Sequence, residues 1–187
     1  YAAVVRVSTI WYFIPTVLAT SLFPAIMRTK LEDPSTYQLR IRQFFGLNAL
    51  IAYLIIIPLF VSAPFLVNIL YGPEYAGSSK ILSIHIWATV FVFLGIARAQ
   101  ILLADGYYRF AMVATLCGAS VNIVLNFFLI PAFGGLGAAA ATLAAQSIAS
   151  VGICFLYTPT RKIGYSLLKA IFFPVAFIPS LLNKNHD

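Results

Sequence analysis

The sequence predicts an all-α integral membrane protein, built as a polytopic helical bundle. Only 9% of its 187 residues are charged and 61% are hydrophobic, whereas soluble domains carry about 25% charged residues. The mean hydropathy is +0.95. The apolar residues are collected into runs of about 20 or more, each long enough for a helix to cross a hydrocarbon core of about 30 Å. Water cannot solvate such a surface, so we expect lipid to surround most of the chain.

Five apolar runs are predicted to span the membrane, at about 4–27, 44–70, 81–103, 110–130 and 137–157. The segments between them are polar or rich in turn residues, and they cover 28–43, 71–80, 105–109 and 131–137. We expect residues 1–162 to form one unit of five membrane helices. Residues 163–187 form a tail, in which the weaker apolar run 163–182 is compatible with a sixth span, a re-entrant helix or an interfacial helix.

The distribution of basic residues predicts the orientation of the chain. The connections on one side of the predicted bundle hold Arg28, Lys30, Arg40, Arg42, Arg109, Arg161 and Lys162. The connections on the other side hold only Lys80. Lysine and arginine in short loops favour the cytoplasmic side. We therefore expect 28–43, 105–109 and 158–162 in the cytoplasm, with 71–80 and 131–137 facing outward.

The stretch Leu116–Gln146 predicts two apolar helices joined by a tight turn at Pro131–Gly137, because proline does not continue a helix and glycine adopts left-handed conformations readily. Each helix carries small and polar residues on one face, at spacings of three or four. These are Thr115, Gly118, Asn122 and Asn126 on the first helix, and Ala138, Thr142, Gln146 and Ser150 on the second. Such faces allow close helix packing in lipid.

Two arginines within the predicted spans are candidates for a substrate cavity. Arg6 shares a helix face with Thr16 and Thr20, and Arg98 lies near the inner end of the third span. An arginine at the bilayer centre costs ~2.5–3.5 kcal/mol on insertion scales, so such residues commonly face a cavity. Both arginines are also close enough to an interface for the charged group to reach water. The sequence leaves both interpretations open.

Neutral polar residues form the rest of the candidate site. His85 and Gln100 share a face of the third span, where they either line a cavity or form hydrogen bonds between helices. Asn122, Asn126 and Gln146 either contact sugar hydroxyls or hold the helices together. The cavity set therefore contains these five residues with the two arginines and the two threonines.

Several classes of function lack their residues in this sequence. Cys117 and Cys154 lie inside apolar spans, the two histidines are isolated, and no metal site, cofactor motif or catalytic set is predicted. We therefore expect neither an enzyme nor a nucleic-acid-binding protein. The acidic residues Glu32, Asp33, Glu74, Asp105 and Asp187 all lie in connections or at the end of the chain. An exporter of cations normally places an acid inside the membrane, so the pattern favours an anionic substrate.

Five short motifs point to a known family. N-x-x-x-N-x-x-L-I-P begins at Asn122, and G-G-x-G-A-A-x-A-T begins at Gly134. Y-A-x-x-x-R begins at Tyr1, L-Y-G-P-E-Y at Leu70, and L-L-A-D-G-Y-Y at Leu102. In this order and spacing they resemble the polysaccharide-exporter branch of the multidrug/oligosaccharidyl-lipid/polysaccharide flippases, over roughly residues 1–157.

The resemblance implies a Wzx-type flippase for O-antigen or other polysaccharide repeat units. Such proteins resemble the multidrug and toxic-compound extruders, with two six-helix lobes around a central cavity, and this chain would be most of the C-terminal lobe. They move undecaprenyl-pyrophosphate-linked oligosaccharide from the cytoplasmic to the periplasmic leaflet of the bacterial inner membrane by alternating access. The implied partners are this lipid-linked substrate, membrane lipids, and the polysaccharide polymerase and chain-length proteins. Arg6 and Arg98 would bind the pyrophosphate.

Two alternatives remain at this stage. A small-molecule or drug exporter of the same fold would need an acidic residue within spans outside this sequence. A membrane scaffold subunit that transports nothing would need no cavity, and its arginines would be inaccessible to water. The full-length sequence would discriminate the first alternative, and accessibility of Arg6 and Arg98 would discriminate the second.

Overall fold

The computed structural model describes residues 1–177, which contain helices and no strand. The α-helices in chain order are α1 (Ala2–Thr9), α2 (Phe13–Glu32), α3 (Pro34–Tyr71), α4 (Ser78–His85), α5 (Ala88–Ala104), α6 (Tyr108–Phe133), α7 (Gly135–Ser150) and α8 (Arg161–Phe172). Five stretches are long and apolar enough to cross a membrane, namely Ala2–Lys30, Pro34–Tyr71, Ser78–Ala104, Tyr108–Phe133 and Gly135–Phe155. The predicted class, an all-α polytopic membrane protein, is confirmed.

The polar segment 28–43 is not the loop that hydropathy predicts. Helix α2 continues to Glu32 and α3 begins at Pro34, so Asp33 alone separates two helices. The Asp33 carboxylate caps α3 by accepting hydrogen bonds from the backbone N–H groups of Ser35 (2.9 Å) and Thr36 (3.2 Å). Hydropathy indicates where a helix leaves lipid, whereas a cap decides where the helix ends, so α3 extends well beyond its apolar part.

Hydroxyl groups of the same two residues also donate to Asp33 and change its acidity. The hydroxyl of Thr36, and next that of Ser35, donate to the carboxylate and hold the pKa of Asp33 well below its usual value. Proline suits the first helical position, because the N–H group that it lacks would have no hydrogen-bond partner within the helix. The connection between α2 and α3 is thus a turn of one residue, which the side chain of Asp33 stabilises as the N-cap of α3.

The turn between α6 and α7 is tighter than the predicted Pro131–Gly137. Helix α6 continues through Pro131 to Phe133, and the chain reverses at Gly134, whose φ is +55°. Gly137 has no positive φ, yet a Cβ there would collide with the carbonyl oxygen of Leu129. A Cβ on Gly118 would lie 2.5 Å from that of Ala149. Gly118 and Gly137 therefore allow close contact between helices, whereas Gly134 reverses the backbone.

The core lies where α3 and α5 pack together, with α2, α7 and α8 around them. Phe45 on α3 and Phe93 on α5 are fully buried there. Large apolar side chains cover the outer faces, and Val61 and Phe127 are each 74% exposed. A soluble protein rarely exposes apolar surface on this scale, so these faces fit a lipid environment.

The tail begins as a short helix packed on α3. Helix α8 has 12 residues, and its Leu167 and Ala170 are fully buried. Where α8 ends, the hydroxyl of Tyr53 in the middle of α3 donates to the carbonyl oxygen of Ile171 at 2.9 Å. Residues 178–182 of the predicted run 163–182 lie outside the described residues. The choice among a sixth span, a re-entrant helix and an interfacial helix stays a prediction.

Candidate functional site

A cavity of about 500 Å³ lies between α5, α6 and α7. Its polar lining comes from Arg98 on α5, Thr115 and Asn122 on α6, and Thr142, Gln146 and Ser150 on α7. Gly95, Gly118 and several alanines and aliphatic residues complete the wall. The cavity thus places one cation and several neutral hydrogen-bonding groups inside stretches that are apolar enough to span a membrane.

Arg98 is the charged residue of this cavity, and its side chain is only 4% exposed. One guanidinium nitrogen, Nη1, donates to the carbonyl oxygen of Ala149 at 2.7 Å and lies 3.9 Å from the Sγ atom of Cys154. The Nε–H group is buried and has no partner among the described residues. A buried guanidinium with unused N–H groups can donate a hydrogen bond to a further oxygen atom.

The contact between Arg98 and Ala149 depends on an early end to α7, which the sequence reasoning missed. Helix α7 stops at Ser150, and a short 3-10 helix at Gly152–Phe155 continues the chain. The last carbonyls of a helix lack partners within it. Arg98 satisfies the carbonyl of Ala149, and its positive charge is favourable at the negative end of the helix dipole.

Backbone carbonyl groups in the 3-10 helix that follows α7 also accept hydrogen bonds from side chains. The hydroxyl of Thr160 donates to the carbonyl of Cys154 at 2.9 Å, and Nε of Arg161 donates to that of Phe155 at 3.2 Å. Gly152 and the sequence Thr158-Pro159 are the local signals that could have indicated an interrupted helix. Arg98 could not have been assigned to this role, because its partner carbonyl is remote in sequence.

The two asparagines of α6 form a pair at the edge of the cavity. The amide nitrogen of Asn126 donates to Oδ1 of Asn122 at 2.9 Å, and Asn122 lines the cavity. Oδ1 of Asn126 is buried without a partner among the described residues. Thr142 and Ser150 donate their hydroxyls to carbonyls one turn earlier in α7, so their oxygens still have acceptor capacity. The lining can therefore both donate and accept.

The structure brings only part of the predicted set together. Arg98, Asn122 and Gln146 line one cavity. Asn126 does not line it but donates a hydrogen bond to Asn122. Gln100 is half-buried on α5 but does not line that cavity. His85 is buried elsewhere, with Nδ1 at 2.7 Å from Oγ of Ser8, which is the hydrogen bond between helices that the sequence left open.

Arg6, Thr16 and Thr20 lie apart from the cavity. All three are exposed on α1 and α2, and the hydroxyl of Thr20 donates to the carbonyl of Val17 in its own helix at 3.0 Å. None of the three lines the cavity between α5, α6 and α7. The cavity between α5, α6 and α7 therefore contains Arg98 and not Arg6, and a shared role of the two arginines stays a prediction.

These features define the class of this chain, which is an all-α, multi-pass membrane protein with a polar cavity between its helices. It is 26% identical to the probable flippase AglR of Haloferax volcanii over 161 residues, which cover 81% of this chain and 32% of that protein. It is 28% identical to the uncharacterized membrane protein YabM of Bacillus subtilis over 165 residues, which cover 84% and 29% respectively. The chain spans about a third of the length of these curated relatives.

No protein-family model and no solved structure matches the chain. The two similarities are distant, and one of the two relatives is described as a probable flippase. The finer resemblance to the polysaccharide-exporter branch stays a prediction.

Proposed function

We propose that this chain is part of a flippase that moves an undecaprenyl-pyrophosphate-linked oligosaccharide from the cytoplasmic to the outer leaflet of a bacterial inner membrane. The distant similarity to a probable flippase supports the broad activity. The motif resemblance supports the lipid-linked oligosaccharide. Alternating access, the second lobe, and association with a polysaccharide polymerase and chain-length proteins belong to the whole protein and are part of the same proposal.

The observation that carries the proposal is the buried Arg98, which lines the cavity between α5, α6 and α7 (the α5–α7 cavity). A diphosphate that leaves water needs charge-assisted hydrogen bonds to offset its desolvation. The guanidinium of Arg98 supplies such donors at the cavity wall, where Nη1 is fixed by Ala149 and the buried Nε–H group has no partner among the described residues. Asn122 and Gln146 suit sugar hydroxyls, because an amide both donates and accepts.

The position of the acidic residues agrees with an anionic substrate. Among the described residues, no aspartate or glutamate lies within the five candidate spans. A drug exporter of this fold would need such an acid from the part of the protein outside this sequence. The cavity and the unpartnered Nε–H group of Arg98 support a transporter over a scaffold with tightly packed helices.

The test is a substitution series at Arg98 in cells that lack their own flippase. We expect Arg98→Gln to reduce surface polysaccharide about ten-fold or more, because a charged hydrogen bond is lost, and Arg98→Lys to reduce it less. Arg109→Gln is the matched control, since Arg109 is exposed at the start of α6 and lies outside the cavity. Membrane abundance is measured in parallel.

Normal export by Arg98→Gln at normal abundance would contradict the proposal. Loss of export only in proportion to loss of protein would leave Arg98 with the role of capping α7, and the pyrophosphate would then bind elsewhere.

A further inference from the structure

A second cavity, of about 260 Å³, lies between α2 and α3. Its walls are Leu22, Ala25, Ile26 and Thr29 on α2, and Arg40, Gln43, Phe44 and Leu47 on α3. It shares no residue with the cavity between α5, α6 and α7. We call it the α2–α3 cleft.

The polarity of the α2–α3 cleft changes along its length. Helices α2 and α3 meet at Asp33, so Thr29 and Arg40 are the lining residues nearest to this connection. Leu22 and Leu47 are the farthest from it. The basic residues of the connection predict that this end faces the cytoplasm. The cleft therefore has a polar mouth at the inner interface and an apolar end directed toward the middle of the bilayer.

Arg40 gives the mouth of the cleft a positive charge. Its Nη1 atom lies 3.4 Å from Oε1 of Gln43, which is long for a hydrogen bond, so most of its guanidinium donors have no close partner among the described side chains. No carboxylate among the described side chains forms an ion pair with it. Lys30 differs, because it is bonded to Asp105 at 2.7 Å. Arg28 and Arg42 are exposed nearby in sequence, and they add positive charge to an end that also carries the Asp33 carboxylate.

We infer that the α2–α3 cleft binds an anionic glycerophospholipid of the inner leaflet, with one acyl chain between the helices and the phosphate on Arg40. The arrangement of the cleft matches this molecule, which has an anionic head at the interface and an apolar chain below it. The acyl chain gains little on moving from bilayer to cleft, since both are apolar. Selectivity between lipids therefore comes from the head group and Arg40. The inference does not depend on the proposed flippase activity.

The experiment measures lipid binding to the purified protein in detergent by native mass spectrometry. The probes are palmitoyl-oleoyl phosphatidylglycerol and, with the same acyl chains, palmitoyl-oleoyl phosphatidylcholine. We expect phosphatidylglycerol to bind more tightly, and Arg40→Gln to weaken its binding about five-fold, as one interfacial cation is lost. Arg42→Gln is the matched control, because Arg42 is an exposed arginine of the same helix that does not line the cleft.

A second variant tests the apolar part of the cleft. Ala25 is exposed toward this space, so Ala25→Phe should fill it and reduce the binding of both lipids while the fold is kept, as checked by circular dichroism. Equal losses in Arg40→Gln and Arg42→Gln would overturn the inference, since they would indicate general surface charge. Equal binding of the two lipids would also overturn it. Displacement of phosphatidylglycerol by undecaprenyl phosphate at equal concentration would assign the cleft to a polyprenyl lipid instead.

Discussion

Lys30 and Asp105 are 75 residues apart in the chain, yet Nζ of Lys30 lies 2.7 Å from Oδ1 of Asp105. The hydroxyl of Tyr37 donates to the same oxygen at 3.0 Å, and Nζ also donates to the carbonyl of Ala104 at 2.9 Å. The ammonium group lies 5.6 Å from the centre of the Tyr37 ring. This group of contacts joins the end of α2, the start of α3 and the turn after α5.

The Lys30–Asp105 pair should stabilise the inner end of the bundle. We expect a double-mutant cycle of Lys30→Gln and Asp105→Asn to give a coupling free energy of about 1 kcal/mol, because the pair is partly exposed but has further hydrogen bonds. The measurement is thermal unfolding in detergent. Arg28→Gln serves as control, since Arg28 is exposed on the same helix. Strict additivity of the two substitutions would show that the contact contributes no stability.

Gly137 should not tolerate a side chain. Its Cβ would collide with the carbonyl oxygen of Leu129, so Gly137→Ala should destabilise the α6–α7 pair by about 1–3 kcal/mol, and Gly137→Val by more. The amount of folded protein in the membrane measures this. Gly152→Ala is the control, because the nearest atoms to a Cβ there are 3.9 Å away. Equal yields of Gly137→Val and Gly152→Ala would show that the helices can separate at little cost.

The orientation of the chain is tested by labelling with a maleimide that does not cross membranes. Cys117 and Cys154 are first replaced, and single cysteines are then introduced by Gly77→Cys and Gln38→Cys, both at exposed positions. Intact cells should be labelled at position 77 and not at position 38, because the connections rich in basic residues face the cytoplasm. The opposite pattern would reverse the topology and place the α2–α3 cleft at the outer leaflet.

The cap of α3 should weaken in acid. The pKa of Asp33 is lowered in the folded state, so its carboxylate contributes stability above about pH 4, its unfolded pKa, and this contribution is lost as the pH falls toward the folded pKa. Asn also caps helices well but does not titrate. The thermal midpoint of the wild type should therefore fall below that of Asp33→Asn as the pH drops. Parallel curves would indicate that the cap is not formed.

The five long apolar helices among the described residues overlap the five runs that the sequence predicts, because hydropathy depends on the local run of residues. It did not predict that α3 begins at Pro34 or that α6 passes through Pro131, because caps and helix continuation depend on hydrogen bonds rather than on hydropathy. The small and polar faces of α6 and α7 were visible as spacings. They do face each other and the α5–α7 cavity.

The candidate site was predictable only in part. Helical spacing placed Asn122 and Asn126 on one face, and the structure shows them bonded to each other. No pattern in the sequence could place Arg98 in a different part of the structure from Arg6, since that depends on which helices are neighbours. The Arg98–Ala149 contact and the Lys30–Asp105 pair join residues far apart in sequence, where local periodicity carries no information.

The single non-helical residue between α6 and α7 has a consequence for the synthesis of this protein. Gly134 alone joins α6 to α7, so no flexible linker would let one helix enter the membrane well before the other. Each would expose its polar face to lipid if it entered alone, since Asn122 and Gln146 find polar surroundings only between the helices. The two segments should therefore leave the translocation machinery and enter the bilayer together, as one hairpin that is already packed.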